Sequence, residues 1–329
     1  MHSPQGGTQL AELSIIIVNW NGRHLLFDCL SSLRNQSLKG LVVILVDNGS
    51  TDDSLSFVRQ HFPEVRIIAL KQNLGFAGGN NRGMESCSSE FLALLNNDAI
   101  ADQFWAERLL AAASRRQVGI VASKVLLASD PGLLDSAGDG MTTAGVAYKQ
   151  GHLEPADQYR TSRAVFGASG CAALLRRSML EDIGLFDEDF FLLYEDGDLC
   201  FRAQLRGWEA VYAPEAVVHH QLNASIGTLS RTSVYYGQRN IEYLYFKNMP
   251  GMLLWKYLPA HLLNDLLACL YFSWKGRLLS FLRSKISFLA TLPAVLRKRK
   301  AIQSKRKITV RDLDRLLERK WLRSRLAGK

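Results

Sequence analysis

Cysteine is scarce and scattered in this chain: the five residues Cys29, Cys87, Cys171, Cys200 and Cys269 form no CxxC pair and leave an odd one over. That argues against a disulfide framework and against a structural zinc site. They read as reduced core residues. The segment Met1–Glu12 has no apolar run, so no signal peptide is visible and the catalytic part is expected in the cytosol. A clean apolar stretch of about 20 residues, the length that crosses a bilayer, is missing as well. Met252–Trp274 comes nearest but contains Lys256, Pro259, His261, Asn264 and Asp265. The formal net charge of +9 is concentrated beyond Arg297. A basic tail suits an anionic membrane surface, nucleic acid or plain solvent. No nucleic-acid-binding motif accompanies it, and Trp274 and Trp321 flank the basic cluster without interleaving it, so no nucleic-acid partner is expected.

What is present is a globular composition, 47% hydrophobic and 22% charged over 329 residues, enough for one large domain with an appendage or for two. Phe91–Leu95 is an apolar run that ends abruptly in Asn96-Asn97-Asp98, and it reads as a strand buried on both faces. Ser14–Val18, ending in Asn19-Trp20-Asn21-Gly22, and Leu41–Val46, ending in Asp47, repeat the pattern. Ser50 or Thr51 is expected to cap the helix that follows, which leaves Asp47 free to meet a ligand. A third strand, Val65–Leu70, leads into the glycine-rich Asn73–Gly83, read as a loop that approaches a ligand or simply as a turn; it lacks the GxGxxG spacing. Strand and helix patterns alternate, which predicts an α/β fold with a mostly parallel central sheet flanked by helices.

Asp130–Arg163 has little periodicity and reads as a loop-and-hairpin insertion over the site. Glu195-Asp196-Gly197-Asp198 follows an aromatic-rich segment and opens a helix to about Arg206. Trp208–Tyr212 and Ala216–Val218 read as short strands ahead of His219-His220. Leu278–Leu289 looks like an amphipathic helix, and with the basic cluster Lys298–Lys307 it gives two membrane signals; a helical subdomain packed on the core is the rival reading. The strand-tip acids should meet at one sheet edge, where they suit a nucleoside diphosphate with a hard divalent cation, Mg²⁺ or Mn²⁺. The acids at 195–198 then offer a base for an attacking hydroxyl.

Five segments in order, Ser14–Asn21, Val46–Asp52, Asn73–Asn80, Leu95–Asp98 and Tyr194–Asp198, resemble the successive motifs of family 2 glycosyltransferases, in the rhamnosyltransferase-like branch. The resemblance covers about Leu13–Asn248 and implies a GT-A nucleotide-sugar-binding fold over residues 11–248, with 249–329 a helical, basic, membrane-associating region. It implies an inverting transfer from a nucleoside-diphosphate sugar to a glycan or polyprenyl-linked acceptor for cell-surface polysaccharide, on the cytoplasmic face of the cell membrane. A scaffold protein that only binds the nucleotide sugar is the alternative. By position, Asp47 with Asn19 and Asn21 contacts the nucleoside, while Asn73, Gly75, Asn80 and Asn97 line the donor pocket. Asp98 is the acid that remains of the DxD motif and binds the metal together with His220, preferred over His219. Asp196 matches the general base and Glu195 is the runner-up. Arg202 is placed to steady the acids, and Arg239-Asn240 matches a recurrent pair whose role the sequence does not give.

Overall fold

The computed structural model describes residues 12–221 and 229–319. Residue 11 at the expected domain start and the end of the basic tail, Trp321 included, lie outside the described residues. The first half alternates as anticipated: β1 (Leu13–Asn19), α1 (Leu26–Arg34), β2 (Val42–Asp47), α2 (Ser54–His61), β3 (Arg66–Ala69), α3 (Gly75–Glu85), β4 (Phe91–Leu95). Then come β5 (Ala99–Ala101), α4 (Trp105–Ala112), β6 (Val118–Leu127), β7 (Asp130–Ser136), β8 (Asp139–Thr142), β9 (Ala147–Lys149), β10 (Arg163–Val165) and β11 (Ala172–Arg176). The chain continues through α5 (Arg177–Ile183), α6 (Glu195–Arg206), β12 (Glu209–His220), α7 (Arg231–Asn248), α8 (Gly251–Trp274), α9 (Leu278–Ser304), α10 (Val310–Leu316) and β13 (Leu317–Glu318).

The main path of the large sheet runs β10-β12-β6-β11-β4-β1-β2-β3. Its β4-β1-β2-β3 half is wholly parallel. Beyond β4 the sheet is mixed, because β11 enters antiparallel between β4 and β6. Alternate side chains feed two cores: Ile16, Ile44, Leu92 and Leu94 face one side, and Ile15, Ile17, Leu45 and Ala93 the other. That period of two on uniformly apolar strands is what a sheet covered on both faces requires.

Three local expectations change. The glycine-rich stretch is not a loop, since α3 starts at Gly75. Its glycines serve close packing, because a Cβ on Gly79 would sit 2.8 Å from Val18 and one on Gly83 2.5 Å from Ile16. Neither Ser50 nor Thr51 caps α2, whose N-cap is Asp53 without a side-chain bond. The two short strands expected before the histidines are one strand, β12, with a bulge between Ala213 and Val217 around Pro214, which cannot donate to a ladder. The insertion forms the β7–β9 hairpins, and β8 also pairs with β13 near the end of the described chain. The C-terminal helices pack back on the core: Phe288 and Val295 of α9 share one cluster with Ile16 and Leu94.

Candidate active site

The tips of β1, β2 and β4 lie side by side, with Asn19 opposite Asp47 in the parallel register. Asn19 is fully buried and acts as a brace. Its Nδ2 donates to Ser54 Oγ at 3.0 Å and to Asp47 Oδ1 at 3.4 Å, while its Oδ1 accepts from Asn97 Nδ2 at 2.8 Å. Asp47 is also buried, and its Oδ2 accepts the Ser50 N–H at 3.1 Å, so it holds its turn closed instead of standing free as the sequence suggested. Asn21 is exposed with φ 52, and its Oδ1 accepts the Thr51 N–H at 2.8 Å. Asn48, passed over in the sequence, organises the next turn: its Nδ2 donates to Asn73 Oδ1 at 3.0 Å and to the Gly75 carbonyl at 2.9 Å. Asn73 Oδ1 also accepts the Gly75 N–H at 2.7 Å. Asn80 lies inside α3, where its Nδ2 donates to the Phe76 carbonyl at 3.0 Å. Gly75 has φ +74, and a Cβ there would fall on the Phe191 carbonyl.

Asp98 and His220 are brought together by the β5–β12 pairing, which sets His220 opposite Ala99. His220 Nε2 lies 3.2 Å from Asp98 Oδ1, yet that buried oxygen has no hydrogen-bond partner. On its other side, His220 Nδ1 donates to Asp135 Oδ2 at 2.9 Å. His219 points elsewhere, 3.7 Å from Asp102. Asp135 comes from β7 and is itself held at 2.6 and 2.8 Å by Lys149 Nζ of β9. Burial opposes its charge, but His152, His220 and Lys149 keep the carboxyl well below the usual range. Burial likewise opposes charging of His220, but Cys171, Asp135 and Asp98 outweigh it and raise the ring to about 12.

The donor set fits a divalent cation. An orphaned carboxylate oxygen and an imidazole nitrogen 3.2 Å apart are spaced like neighbouring ligands of one ion. A carboxylate behind the ring is the usual arrangement that orients a ligating histidine. A cation would displace the ring proton, so its binding would release a proton. A second cluster, Glu242, His261 and Asp265, also has ligand spacing. It already holds a cation, since Lys285 Nζ bonds Glu242 and lies 2.8 Å from Asp265.

Asp196 sits at the start of α6 with both oxygens aimed at backbone amides, Gly170 N at 3.0 Å and Gly197 N at 2.7 Å. Burial raises its pKa, and those N–H groups and Lys149 pull the other way. Glu195 is buried, with Oε2 lacking any partner. Desolvation, then the charge of Asp196, push its pKa well up, which disfavours its charged form. Asp139 of β8 is pushed up to about 8 by burial and by Asp196. Arg202 steadies one of the acids, Asp198, and not Asp196. It pairs with Asp198 at 2.8 Å and ties down the carbonyls of Ile183 and Leu185.

The segment before these acids is strained: Phe191, Leu193 and Tyr194 have φ of 62, 67 and 70, costly values for bulky residues. The Arg239-Asn240 pair of α7 holds it. Asn240 Nδ2 donates to the carbonyls of Phe190, Leu192 and Leu193 at 2.8, 2.9 and 2.7 Å. Arg239 Nη2 donates to those of Asp189 and Phe190 at 2.5 and 3.2 Å.

Buried Asp47 and Asp98 stand at the end of β2 and just beyond β4, Asp196 opens α6, and the mixed sheet flanked by helices is the GT-A fold shared with solved glycosyltransferases. The profile of "Glycosyl transferase family 2" matches residues 14–184, over half the chain, and that of "Glycosyl transferase family group 2" matches residues 139–296. The chain belongs to glycosyltransferase family 2 and is a glycosyltransferase. It is similar to the N-acetylglucosaminyl-diphospho-decaprenol L-rhamnosyltransferase of Mycobacterium tuberculosis, 28% identical over 242 residues that cover 65% of this chain and 77% of the relative. A low-salt glycan biosynthesis hexosyltransferase of Haloferax volcanii is 25% identical over 203 residues, covering 60% and 63% of the two chains. Among solved structures, the fold is shared with a mannosyltransferase from Pyrobaculum calidifontis in complex with GDP-Man and Mn²⁺, at TM-score 0.52 and 16% identity over 86% and 88% of the two chains.

Proposed function

We propose that this chain is a metal-assisted, inverting rhamnosyltransferase that uses a nucleoside-diphosphate sugar and a hydroxyl of a glycan or polyprenyl-linked acceptor, at the cytoplasmic face of a membrane. One observation carries the metal-assisted part: the orphaned oxygen of Asp98 beside His220 Nε2, backed by Asp135. Asp98 and His220 would hold Mg²⁺ or Mn²⁺. The ion, once bound, neutralises charge on the departing diphosphate. The Mn²⁺ in the complex of the Pyrobaculum mannosyltransferase supports that choice, and the Mycobacterium relative supports rhamnose and a lipid-linked acceptor.

Asp196 takes the proton from the acceptor hydroxyl. The freed oxygen attacks the anomeric carbon, the bond from that carbon to the diphosphate breaks with its electron pair, and configuration inverts. A carboxylate whose pKa burial raises above its usual value is the better base for this step. Glu195, whose charged form burial and the neighbouring Asp196 oppose, is the poorer candidate. Asn19, Asp47 and Asn97 act as one braced unit under the nucleoside, and Asn21, Asn73, Gly75 and Asn80 shape the donor side. Residues 11–248 form the catalytic domain in this reading, and 249–329 the membrane-associating region. A panel of nucleoside-diphosphate sugars, each assayed for binding by thermal shift with Mg²⁺, Mn²⁺ or chelator, tests it. A metal-dependent shift with a deoxyhexose donor is expected; equal shifts in chelator would overturn the metal role.

A further inference from the structure

Helix α9 is long and apolar enough, by length and composition, to cross a membrane. Its inner face argues otherwise. Tyr235 of α7 bonds Ser287 at 2.9 Å, Tyr243 bonds Thr291 at 2.8 Å, and Lys298 reaches Asp187 and Asp189 at 2.6 Å. Further along, Arg299 donates to the Met249 carbonyl at 2.6 Å and Gln303 to that of Asn248 at 2.7 Å. An upright span would have to break every one of these bonds and carry the freed groups into hydrocarbon.

The outer face is the opposite in character. Along α9, Leu279, Leu282, Ile286, Leu289 and Leu296 recur at helical spacing and are exposed, Ile286 by 67%. Along α8 the outward residues are Met252, Trp255, Leu262, Leu266, Leu270 and Trp274, with the two tryptophans 72% and 75% exposed. The two rows meet at both ends. Trp274 and Leu278 flank the turn between the helices, and Met252 and Leu296 line one open cavity of about 480 Å³ at the far end. That cavity is also lined by Arg299, Lys300 and Arg306, with no carboxylate among its residues. Over residues 251–304 there are nine Lys and Arg and a single acid, Asp265; Lys256, Lys285 and Lys298 are paired with acids, which leaves six, among them Arg299 and Lys300 at the cavity.

An exposed apolar face this long marks an interaction surface, and the excess of positive charge beside it selects the partner. We propose that the α8–α9 pair lies in the plane of an anionic phospholipid bilayer, with the two leucine and tryptophan rows sunk to the acyl boundary and lipid phosphates seated at Arg299, Lys300 and Arg306. The proposal rests on the membrane association stated above and adds its geometry: both helices lie on the bilayer and neither crosses it.

The full chain is floated with phosphatidylglycerol-containing vesicles and with pure phosphatidylcholine vesicles. Preferential flotation with the anionic vesicles is expected, together with quenching of tryptophan fluorescence by shallow brominated lipids that the double variant Trp255→Phe, Trp274→Phe abolishes. The pair Leu266→Asp, Ile286→Asp, both at exposed positions, should abolish flotation while nucleotide binding is retained. Lys300→Ala should weaken anionic binding about fivefold, the effect of one cation near a charged surface. Flotation that survives the double aspartate variant, dimerisation lost in its place, or resistance to alkaline carbonate extraction would each overturn the in-plane arrangement. Failure to float on any vesicle would instead remove the membrane reading beneath it.

Discussion

Asn240 Nδ2 lies 2.7 Å from the carbonyl oxygen of Leu193, across 47 residues of sequence, and the same amide nitrogen serves the carbonyls of Phe190 and Leu192. One side chain thus holds a left-handed segment in place next to the acids of α6. Two N–H groups are shared among the three carbonyls, so Asn240→Ala should cost on the order of 2 kcal/mol, and more if a carbonyl stays buried and unpaired. The readout that separates positioning from bulk stability is kcat, measured well below the variant's melting temperature. A fall of tenfold or more is expected, with donor KM nearly unchanged. A lowered melting temperature with kcat unchanged would assign Asn240 to stability alone.

Replacing Asp98 with Ala should remove metal-dependent nucleotide binding while the metal-independent component survives, seen by titrating donor with and without Mn²⁺. Asp135→Asn leaves Asp98 and His220 in place but loses the charge behind His220. A change of about 10- to 100-fold in metal affinity is the expectation for such a supporting group. Identical Mn²⁺ affinities in wild type and Asp135→Asn would count against the arrangement.

For the acids of α6, Asp196→Asn should lower transfer by about two to four orders of magnitude with donor binding intact. Glu195→Gln should be mild, within a few-fold, because glutamine resembles the neutral carboxyl that burial favours. If the two variants exchange phenotypes, Glu195 is the base.

Gly75→Ala should be disproportionately harmful for a single methyl. The residue has φ +74 and the new Cβ falls on the Phe191 carbonyl, so the donor turn and the segment ahead of the acids must separate. A loss of roughly 1–3 kcal/mol in denaturant titration is expected. A wild-type midpoint would show that the two segments are not in contact in solution.

Asp139 gives a pH signature. Its pKa rises from 3.8 in the unfolded chain to about 8 in the fold, so the native state holds a proton that the unfolded state releases. That contribution is fully present below about pH 4 and is lost as pH climbs through 8. Melting temperatures of wild type and Asp139→Asn should therefore diverge between pH 4 and 8, with the variant showing the flatter profile. Parallel profiles would mean that the carboxyl is ionised throughout.

What the sequence disclosed was local. Apolar runs that stop at Asn19, Asp47 and Asp98 announce strand ends, and the parallel register then brings the ends together, so one edge of the crevice is legible from pattern alone. His220 could be chosen only by resemblance, because a bulge near Pro214 decides which way the strand presents its pair of histidines. Asp135, Asp139 and Lys149 were hidden in an aperiodic insertion, where short hairpins give no spacing to read. The glycines of α3 misled because their low helix propensity outweighs, on paper, a packing demand that only the neighbouring Val18 and Ile16 reveal. The clamp made by Arg239-Asn240 joins residues some 50 positions apart, and no local signal reports such a bond.

Helix α7 carries that clamp and, through Tyr235, Glu242 and Tyr243, also carries α9. A helix is about 10–12 Å across with its side chains. If α9 rests on a bilayer, this single element acts as a gauge block between lipid and chemistry, so the enzyme would select acceptors by the height of their reactive hydroxyl above the membrane as well as by the sugar that bears it.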